Sequence, residues 1–428
     1  MSDHPEEPPV PAPVAAGRHG LASLVAVPRD EFARTYWGRR PLLTHASERA
    51  GAPDLFGPEA VDELLSRRAL RTPFLRMAKE GRTLEPAAYT LGGGVGAGIG
   101  DQVSEDKVLR LYADGATIVL QALHRTWGPV LEASQEVAAD LGHPVQVNAY
   151  VTPPQNRGFD DHYDVHDVFV VQVSGEKHWR VRPPVHQWPL RDQPWTDRRD
   201  AVHAAAEQPP VVDEVLAPGD CLYVPRGWLH SATALGGTSI HLTVGVHVWT
   251  VRHLAEDLLR AAGHRLDDDR DVREALPLGV DALDPATSAD ARSRVRAAVE
   301  SALDAVTDEE LAALLAARAR AAQRAEPLGV LTQHTASADP AAAWRPRRHL
   351  AHRWEEAAGG TGATGLTGTT GPTGPTLVTR VGRVVVPAAA RRAVDAVLAG
   401  TAPPDTLDPH VWRALCLAGV LVPGTTED

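Results

Sequence analysis

Residues 145–248 contain closely spaced short stretches in which apolar and polar side chains alternate, with turn residues between them. A period of two is typical of β-strands that bury one face. The stretches that show it are 145–151, 167–173, 177–182, 211–216, 221–224 and 239–248. Short strands at this spacing, without helical patterns between them, favour an antiparallel sandwich or barrel. The central part of the chain is therefore predicted to be mainly β.

Composition and charge narrow the class of protein. The chain has 428 residues, 43% of them apolar, so it can bury a sizeable core and is long enough for two or three domains. Its net charge of −12 argues against nucleic acid as the main partner, because neutralising phosphates requires an excess of Lys and Arg. An acidic surface favours a basic partner instead.

The sequence gives no sign of export or of a membrane anchor. Cys221 and Cys416 lie far apart, without a Cys-x-x-Cys motif, so neither a disulfide framework nor a thiolate zinc site is expected. The first residues lack the pattern of a signal peptide, and no apolar run reaches the length of a membrane span. We therefore expect a soluble cytoplasmic protein without a membrane partner.

Shifts in composition and periodicity predict five regions along the chain. They are a flexible tail at 1–20, a β-rich domain with N-terminal helical cover at 21–250, a helical segment at 251–340, a Gly/Thr/Pro-rich linker at 341–376 and a small unit at 377–428. The helical segment is expected to pack internally or to form a dimer face. The last unit is similar to a winged helix, but its second helix has few basic residues, so DNA binding is not expected.

One pair of residues in the predicted sheet suggests a metal site. His162 and Asp164 are two residues apart, so on a regular strand they share a face. An imidazole, a carboxylate and a second imidazole can hold Fe(II) while leaving coordination positions open. His230 follows the turn–strand–turn stretch 217–227 and is the candidate third ligand. The alternative is a polar surface loop and an unrelated histidine in a turn.

Lys177 is unusual because its strand turns it inward. In the stretch 177–182, alternation places Lys177 with Trp179 and Val181 on the apolar face. A lysine is almost never buried without a partner, and no obvious fixed Asp or Glu partner stands out locally. A dicarboxylate such as 2-oxoglutarate would supply one, with its other end on the metal.

Three further histidines are expected to have other roles. We expect His166 to form a hydrogen bond near the start of its strand and His178 to face solvent. His241 could line the site, but a structural histidine with satisfied hydrogen bonds is the preferred interpretation.

The stretches NAYVTPP, HYDVHDVFVVQVSGEKHW and GDCLYVPRGWLHSA together resemble the JmjC-type cupin oxygenases of the ribosomal oxygenase family. The resemblance covers about residues 25–250. It implies a double-stranded β-helix (jelly roll), followed by a helical dimerisation segment and a winged-helix-like domain. It also implies that His162, Asp164 and His230 bind iron, that Lys177 binds the far carboxylate of 2-oxoglutarate, and that Asn148 and Tyr150 line the co-substrate and substrate pocket. One departure is Gly245, where some relatives have a serine near the substrate.

The resemblance implies an Fe(II)- and 2-oxoglutarate-dependent dioxygenase that hydroxylates an Arg or His side chain of a protein, with a ribosomal protein as the expected substrate. No catalytic residue is expected beyond the metal ligands. The protein is expected to form a homodimer. One alternative is a hydroxylase that tailors a biosynthetic peptide or a small molecule. Another is a non-catalytic dimeric cupin that acts as an interaction protein.

Overall fold

The computed structural model describes residues 20–49, 55–156, 159–339, 343–356, 374–380 and 382–424. The predicted tail, except for its last residue, and most of the predicted linker lie outside these residues. The chain divides into two compact units, Met1–Val248 and Trp249–Asp428. Each unit has an apolar core of its own.

The first unit is built from short strands and covering helices. Its strands are β1 (Leu42–Thr44), β2 (Leu75–Lys79), β3 (Arg82–Thr83), β4 (Thr90–Leu91), β5 (Gln102–Val103), β6 (Thr117–Leu120), β7 (Val145–Thr152), β8 (Asp167–Arg182), β9 (Val212–Leu216), β10 (Cys221–Val224) and β11 (Leu229–Val246). Its helices are α1 (Arg29–Glu31, continued as a π-helix over Phe32–Tyr36), α2 (Pro58–Arg67), α3 (Glu105–Ala113), α4 (Leu123–Thr126), α5 (Gly128–Leu141) and α6 (Arg199–Ala206). Short 3₁₀ turns lie at Leu21–Ser23, Ala46–Glu48, Pro86–Ala88 and Trp195–Arg198.

The described strands of this unit form a nine-stranded antiparallel sheet in the order β1-β10-β8-β11-β7-β6-β2-β3, with β9 also paired to β8. β4 and β5 pair separately. The long strands β8 and β11 pair along two stretches, with a register shift between them. Each long strand therefore contributes to two layers of the curved sheet, and the predicted double-stranded β-helix with helical cover is confirmed.

The middle of β8 differs from the sequence prediction. Residues 174–176 were expected to form a turn between two strands, but β8 runs unbroken from Asp167 to Arg182. Gly175 lies at the bend with φ +64°, and a Cβ there would collide with the carbonyl oxygen of Thr238. The bend needs glycine, since this backbone region disfavours other residues and no space is left for a side chain.

Alternate residues of β8 enter two different cores. Phe169 faces the covering helices and packs against Phe32 and Tyr223. Val168 and Val170 face the opposite side, in the core that contains Trp179 and Val181. This alternation gives the sheet an outer face sealed by helices and an inner face on which polar side chains can converge.

The second unit contains the predicted helical segment and the small C-terminal region. Its helices are α7 (Val251–Asp268), α8 (Ala289–Asp304), α9 (Asp308–Ala322), α10 (Val330–Ala336), α11 (Arg391–Leu398) and α12 (Pro409–Leu417). Its strands are β12 (Trp344–Pro346), β13 (His352–Glu355), β14 (Thr376–Thr379), β15 (Arg383–Val385) and β16 (Leu421–Pro423). Further 3₁₀ turns lie at Pro285–Ser288, Ala388–Ala390 and Pro404–Thr406. In the part of the chain that the structure describes, no helix has the length and apolar character needed to cross a bilayer.

Asp257 links α7 to α9 through a buried carboxylate. Its side chain is 3% exposed and pairs with Arg260 at 2.8 Å and Arg318 at 2.5 Å. The hydrogen bond from Arg318 is the main reason that the pKa of Asp257 lies below its ordinary value. The two arginines compensate for the removal of this charge from water.

Replacing Asp257 by Asn is expected to lower the free energy of unfolding by about 2 kcal/mol, because two charge-assisted hydrogen bonds lose their charged acceptor. Calorimetric unfolding at neutral pH measures this. Asp267→Asn on the same helix is the matched control, since its side chain is 82% exposed. Equal effects of the two substitutions would contradict the structural role of Asp257.

Candidate metal centre and adjoining cavity

His162 and His230 are brought together by a short bridge between their backbones. The N–H of His162 donates to the carbonyl oxygen of His230 at 3.2 Å, and the N–H of His230 donates to that of His162 at 2.8 Å. Asp161 holds the loop in place by accepting from Arg182 at 2.8 Å and from Ser231 at 3.1 Å. The loop before β8 is thereby fixed to the start of β11.

The three predicted ligands converge at this bridge. One ligand atom from each of His162, Asp164 and His230 lies within 4.8 Å of the others. The His230 Nε2 atom is 3.7 Å from Asp164 Oδ2, and the two imidazole centroids are 4.4 Å apart. Two imidazoles and one carboxylate at this separation fit a divalent transition metal with coordination positions left open.

Hydrogen bonds to the backbone set the tautomers of both histidines. His162 Nδ1 lies 2.7 Å from the carbonyl oxygen of Asp160, and His230 Nδ1 lies 3.1 Å from that of Trp228. A carbonyl oxygen only accepts, so each Nδ1 is protonated when the imidazole is neutral. Each Nε2 then offers its lone pair, as a metal ligand requires.

The charge states of these side chains also suit a metal. Burial, followed by the neighbouring His162, lowers the pKa of His230 to about 4, so its ring is neutral at physiological pH. Burial alone would raise the pKa of Asp164, but His166, His230, His162 and Arg76 together bring it below its ordinary value. Neutral imidazole and ionised carboxylate are the forms that bind metals.

Lys177 lies inside the same sheet, as its alternation predicts. Its side chain is 3% exposed, and Nζ donates to Thr152 Oγ1 at 3.1 Å. Nζ also lies 6.0 Å from the ring centroid of Trp179. Burial lowers the pKa of Lys177 to about 7, and among the residues that the structure describes no carboxylate pairs with its ammonium. An anionic ligand would restore the charged form.

Several polar atoms near Lys177 lack hydrogen-bond partners among the described residues. Trp179 Nε1, His241 Nδ1 and Gln172 Oε1 are buried without a hydrogen bond. The His241 ring lies 5.3 Å from that of Trp179 and stacks on Tyr150 at 4.9 Å. Unpartnered buried donors and acceptors are costly, so this inner region suits a polar ligand.

The remaining histidines differ partly from expectation. His178 pairs with Asp213 on β9 at 2.5 Å and is only 24% exposed, so it does not simply face solvent. His166 stacks on His247 with centroids 5.4 Å apart. The expectation that His241 is a structural histidine with satisfied hydrogen bonds is wrong, because its Nδ1 has no partner among the described residues.

A cavity of about 390 Å³ is lined in part by Asp164, one of the three candidate ligands. Its lining residues are Pro73, Phe74, Arg76, Gln121, Ala122, Gln146, Asn148, Tyr150, Asp164, His166 and Thr243. Asn148 and Tyr150 were predicted from the sequence. Asn148 accepts from the Ala122 N–H through Oδ1 at 3.0 Å, which fixes the orientation of its amide.

Sequence reasoning missed the residues that the neighbouring strands bring to this cavity. Arg76 lies on β2, and Gln121 follows β6. The alternation in LRMAK, with Leu75 and Met77 buried and Arg76 between them, could have indicated an arginine on the inner face.

Comparison with known proteins agrees with this geometry. Residues 131–254 match the family model of the JmjC domain. The chain is 30% identical to human "Ribosomal oxygenase 1" over 231 residues, which are 52% of this chain and 33% of the relative. It is 25% identical to the Aedes aegypti "Bifunctional lysine-specific demethylase and histidyl-hydroxylase NO66" over 276 residues, which are 62% of this chain and 41% of the relative.

Solved structures support the fold over a longer range. The Escherichia coli ribosomal oxygenase YcfD covers 94% of this chain and 99% of its own, with a TM-score of 0.55 and 14% identity. A YcfD structure "in complex with Cobalt and 2-oxoglutarate" gives a TM-score of 0.53 at 15% identity, covering 93% and 99%. The resemblance to ribosomal oxygenases drawn from the sequence is confirmed, although the chain spans only about a third of the length of the curated relatives it matches first.

Proposed function

We propose that this protein is an Fe(II)- and 2-oxoglutarate-dependent dioxygenase that hydroxylates a protein side chain. The observation that supports it most is the convergence of His162, Asp164 and His230, with Lys177 buried in the same sheet. The open metal positions would take the 2-oxo acid end of the co-substrate. The ammonium of Lys177, which donates to Thr152 Oγ1 and has further N–H donors, would take the distal carboxylate.

In this proposal His162, Asp164 and His230 would hold Fe(II), which would supply the oxygen chemistry when bound. The protein side chains would bind and orient the reactants. Lys177 would fix the far end of 2-oxoglutarate, while Asn148 and Tyr150 would line the pocket between co-substrate and substrate. No side chain besides the metal ligands is assigned a catalytic role.

A ribosomal protein is the substrate that we propose, with an Arg or His side chain as the target. The names of the similar proteins support a ribosomal target, and one of them includes "histidyl-hydroxylase". The net charge of −12 suits a basic partner. A ribosomal substrate would place the protein in the cytoplasm. We also propose a homodimer through the helical segment 251–340, which has exposed apolar side chains at Val251, Leu259 and Val295.

Two measurements test the proposal. The purified protein is incubated with Fe(II), ascorbate and 2-oxoglutarate, and succinate is quantified. Ribosomal proteins from cells with and without the gene are then compared by mass spectrometry for the gain of one oxygen atom. Succinate without a modified ribosomal protein would favour a biosynthetic peptide or small-molecule substrate. No metal-dependent succinate would favour a non-catalytic cupin.

Gly245 keeps space open beside the cavity. A Cβ at this position would lie 2.6 Å from His166 Cδ2 and 3.3 Å from Gln146 Cγ. Gly245→Ser is therefore expected to push His166 into the cavity and to reduce hydroxylation of the protein substrate by about tenfold, since small misplacements of a substrate are costly. The ratio of hydroxylated product to succinate measures this effect.

Gly237→Ser on the same strand is the matched control, because a Cβ there meets no atom within 4 Å. A product-to-succinate ratio that is the same in both variants would contradict the role assigned to Gly245.

A further inference from the structure

Arg76 belongs to the inner face of the sheet, although its neighbours are in the outer core. Leu75 and Met77 are 1% and 0% exposed and pack under the covering helices. Across the sheet Arg76 is paired with Val119, and Val119 is paired with Tyr150. Residues directly opposite each other on paired strands share a face, so Arg76 lies in one row with Tyr150.

The guanidinium of Arg76 is held in place, but one of its donors is unused. It lies over the ring of Phe159 at 5.5 Å, and its charge acts on Tyr150, where it opposes the rise in pKa that burial causes. Its Nε is buried and has no hydrogen-bond partner among the described residues. Because Arg76 also lines the cavity beside Asp164, a bound molecule can supply the missing acceptor.

The charges around the cavity restrict what this molecule can be. Of the described lining residues, Asp164 alone has an acidic side chain, and the proposed function assigns it to the metal. Gln121, Gln146 and Asn148 contribute neutral amides. A cationic side chain entering here would meet the guanidinium of Arg76 without a free lining carboxylate to pair with, at a cost that low-dielectric surroundings increase.

We propose that Arg76 is a substrate-binding residue that donates its Nε–H to an acceptor atom of the target residue and excludes cationic side chains. The inference rests on the proposed function and narrows its substrate class. The target is a neutral side chain with a hydrogen-bond acceptor, an imidazole or a carboxamide, and not the guanidinium of arginine. Arg76 acts on binding and selection, and the metal ligands remain the catalytic groups.

Peptide pools test the selection directly. The pools have random flanking residues and a fixed central His, Asn, Gln, Arg or Lys, and each is incubated with the Fe(II)-loaded protein and 2-oxoglutarate. Oxygen incorporation at the central residue is measured by mass spectrometry, and succinate formed without peptide is measured in parallel. For the wild-type protein, oxygen incorporation into at least one of the neutral pools is expected to exceed that into the Arg and Lys pools by about tenfold or more.

Variants connect this selection to Arg76. Arg76→Gln is expected to lower kcat/KM for the preferred pool by about tenfold to a hundredfold, mainly through KM, because a charged donor is lost. Arg76→Glu is expected to reverse part of this preference. Oxygen incorporation into the Arg and Lys pools should rise relative to that into the neutral pools. Arg82→Gln on the neighbouring strand β3, an exposed residue outside the cavity, is the control and should leave the preference unchanged.

Each outcome decides one question. If the wild-type protein forms no succinate, the proposed function fails. If it forms succinate but modifies the Arg or Lys pools as well as the neutral ones, or modifies none of the pools, the role of Arg76 is wrong while the enzyme class stands. If Arg76→Gln lowers peptide hydroxylation and peptide-independent succinate by the same factor, Arg76 acts through Asp164 or Tyr150, and the substrate-binding role is also wrong.

Discussion

His162→Ala is expected to lower Fe(II)-dependent succinate formation by at least about a hundredfold. Loss of an outer-shell contact alone costs metal sites 10- to 100-fold, and this substitution removes one of three protein ligands. It also leaves His230 and Asp164 as an incomplete pair. Mn(II) binding, followed by electron paramagnetic resonance, gives a second readout that does not depend on turnover and should weaken in parallel.

His178→Ala is the matched control for His162→Ala. His178 lies in the same stretch of sequence but pairs with Asp213, away from the three ligands. We expect its succinate formation and Mn(II) affinity to equal those of the wild-type protein. Equal loss in both variants, or unchanged Mn(II) binding in His162→Ala, would refute the metal assignment.

Lys177→Met is expected to raise the KM for 2-oxoglutarate by about tenfold to a hundredfold, because a charge-assisted hydrogen bond in a buried site is removed. A sharper readout is the choice between 2-oxoglutarate and 2-oxopentanoate, which lacks the distal carboxylate. The wild-type protein should prefer 2-oxoglutarate strongly, and Lys177→Met should lose most of this preference. Calorimetry measures the binding of each acid. Formation of succinate from 2-oxoglutarate, or of butyrate from 2-oxopentanoate, measures its turnover.

Lys79→Met, at a surface ion pair with Asp114, controls for the loss of a lysine as such. It is expected to keep the preference for 2-oxoglutarate. A Lys177→Met variant that still discriminates between the two acids as the wild type does would show that another group binds the distal carboxylate.

The pKa of Lys177 adds a pH dependence to this prediction. Before ligand binds, burial holds this pKa at about 7, and a bound carboxylate raises it. Affinity for 2-oxoglutarate should therefore be constant below about pH 7 and fall by up to about tenfold per pH unit above it. In the ligand-free protein, the free energy of unfolding depends on pH in the opposite direction. The unfolded chain binds more protons between pH 7 and the ordinary lysine value, so stability rises with pH in that window.

Much of this architecture could be predicted from local patterns. The period of two between residues 145 and 248 indicated the antiparallel sheet, because an alternating strand must bury one face. The same alternation placed Lys177 with Trp179 on the inner face, where the structure has both. His162 and Asp164 could be paired by spacing alone, and His230 by its position after a turn–strand–turn unit.

Other features could not be predicted because they depend on residues that are distant in the sequence. The unbroken course of β8 through Gly175 depends on the close approach of Thr238, which no local pattern reveals. His241 was expected to have a partner, and only the packing of Trp179 and Tyr150 around it shows that Nδ1 has none.

The sequence by itself determined the mainly β class and the inward face of Lys177, since each follows from a period within one segment. The three candidate ligands came from the spacing of His162 and Asp164, the position of His230 after a turn–strand–turn unit and the family resemblance. Only the tertiary structure decided which Nε2 atoms meet, what surrounds the ammonium and which charge lines the cavity. The reason is physical: the separation of His162 from His230, and of Arg76 from Tyr150, is set by hydrogen-bond register between strands far apart in the chain. Register is a property of the assembled sheet and not of any one strand.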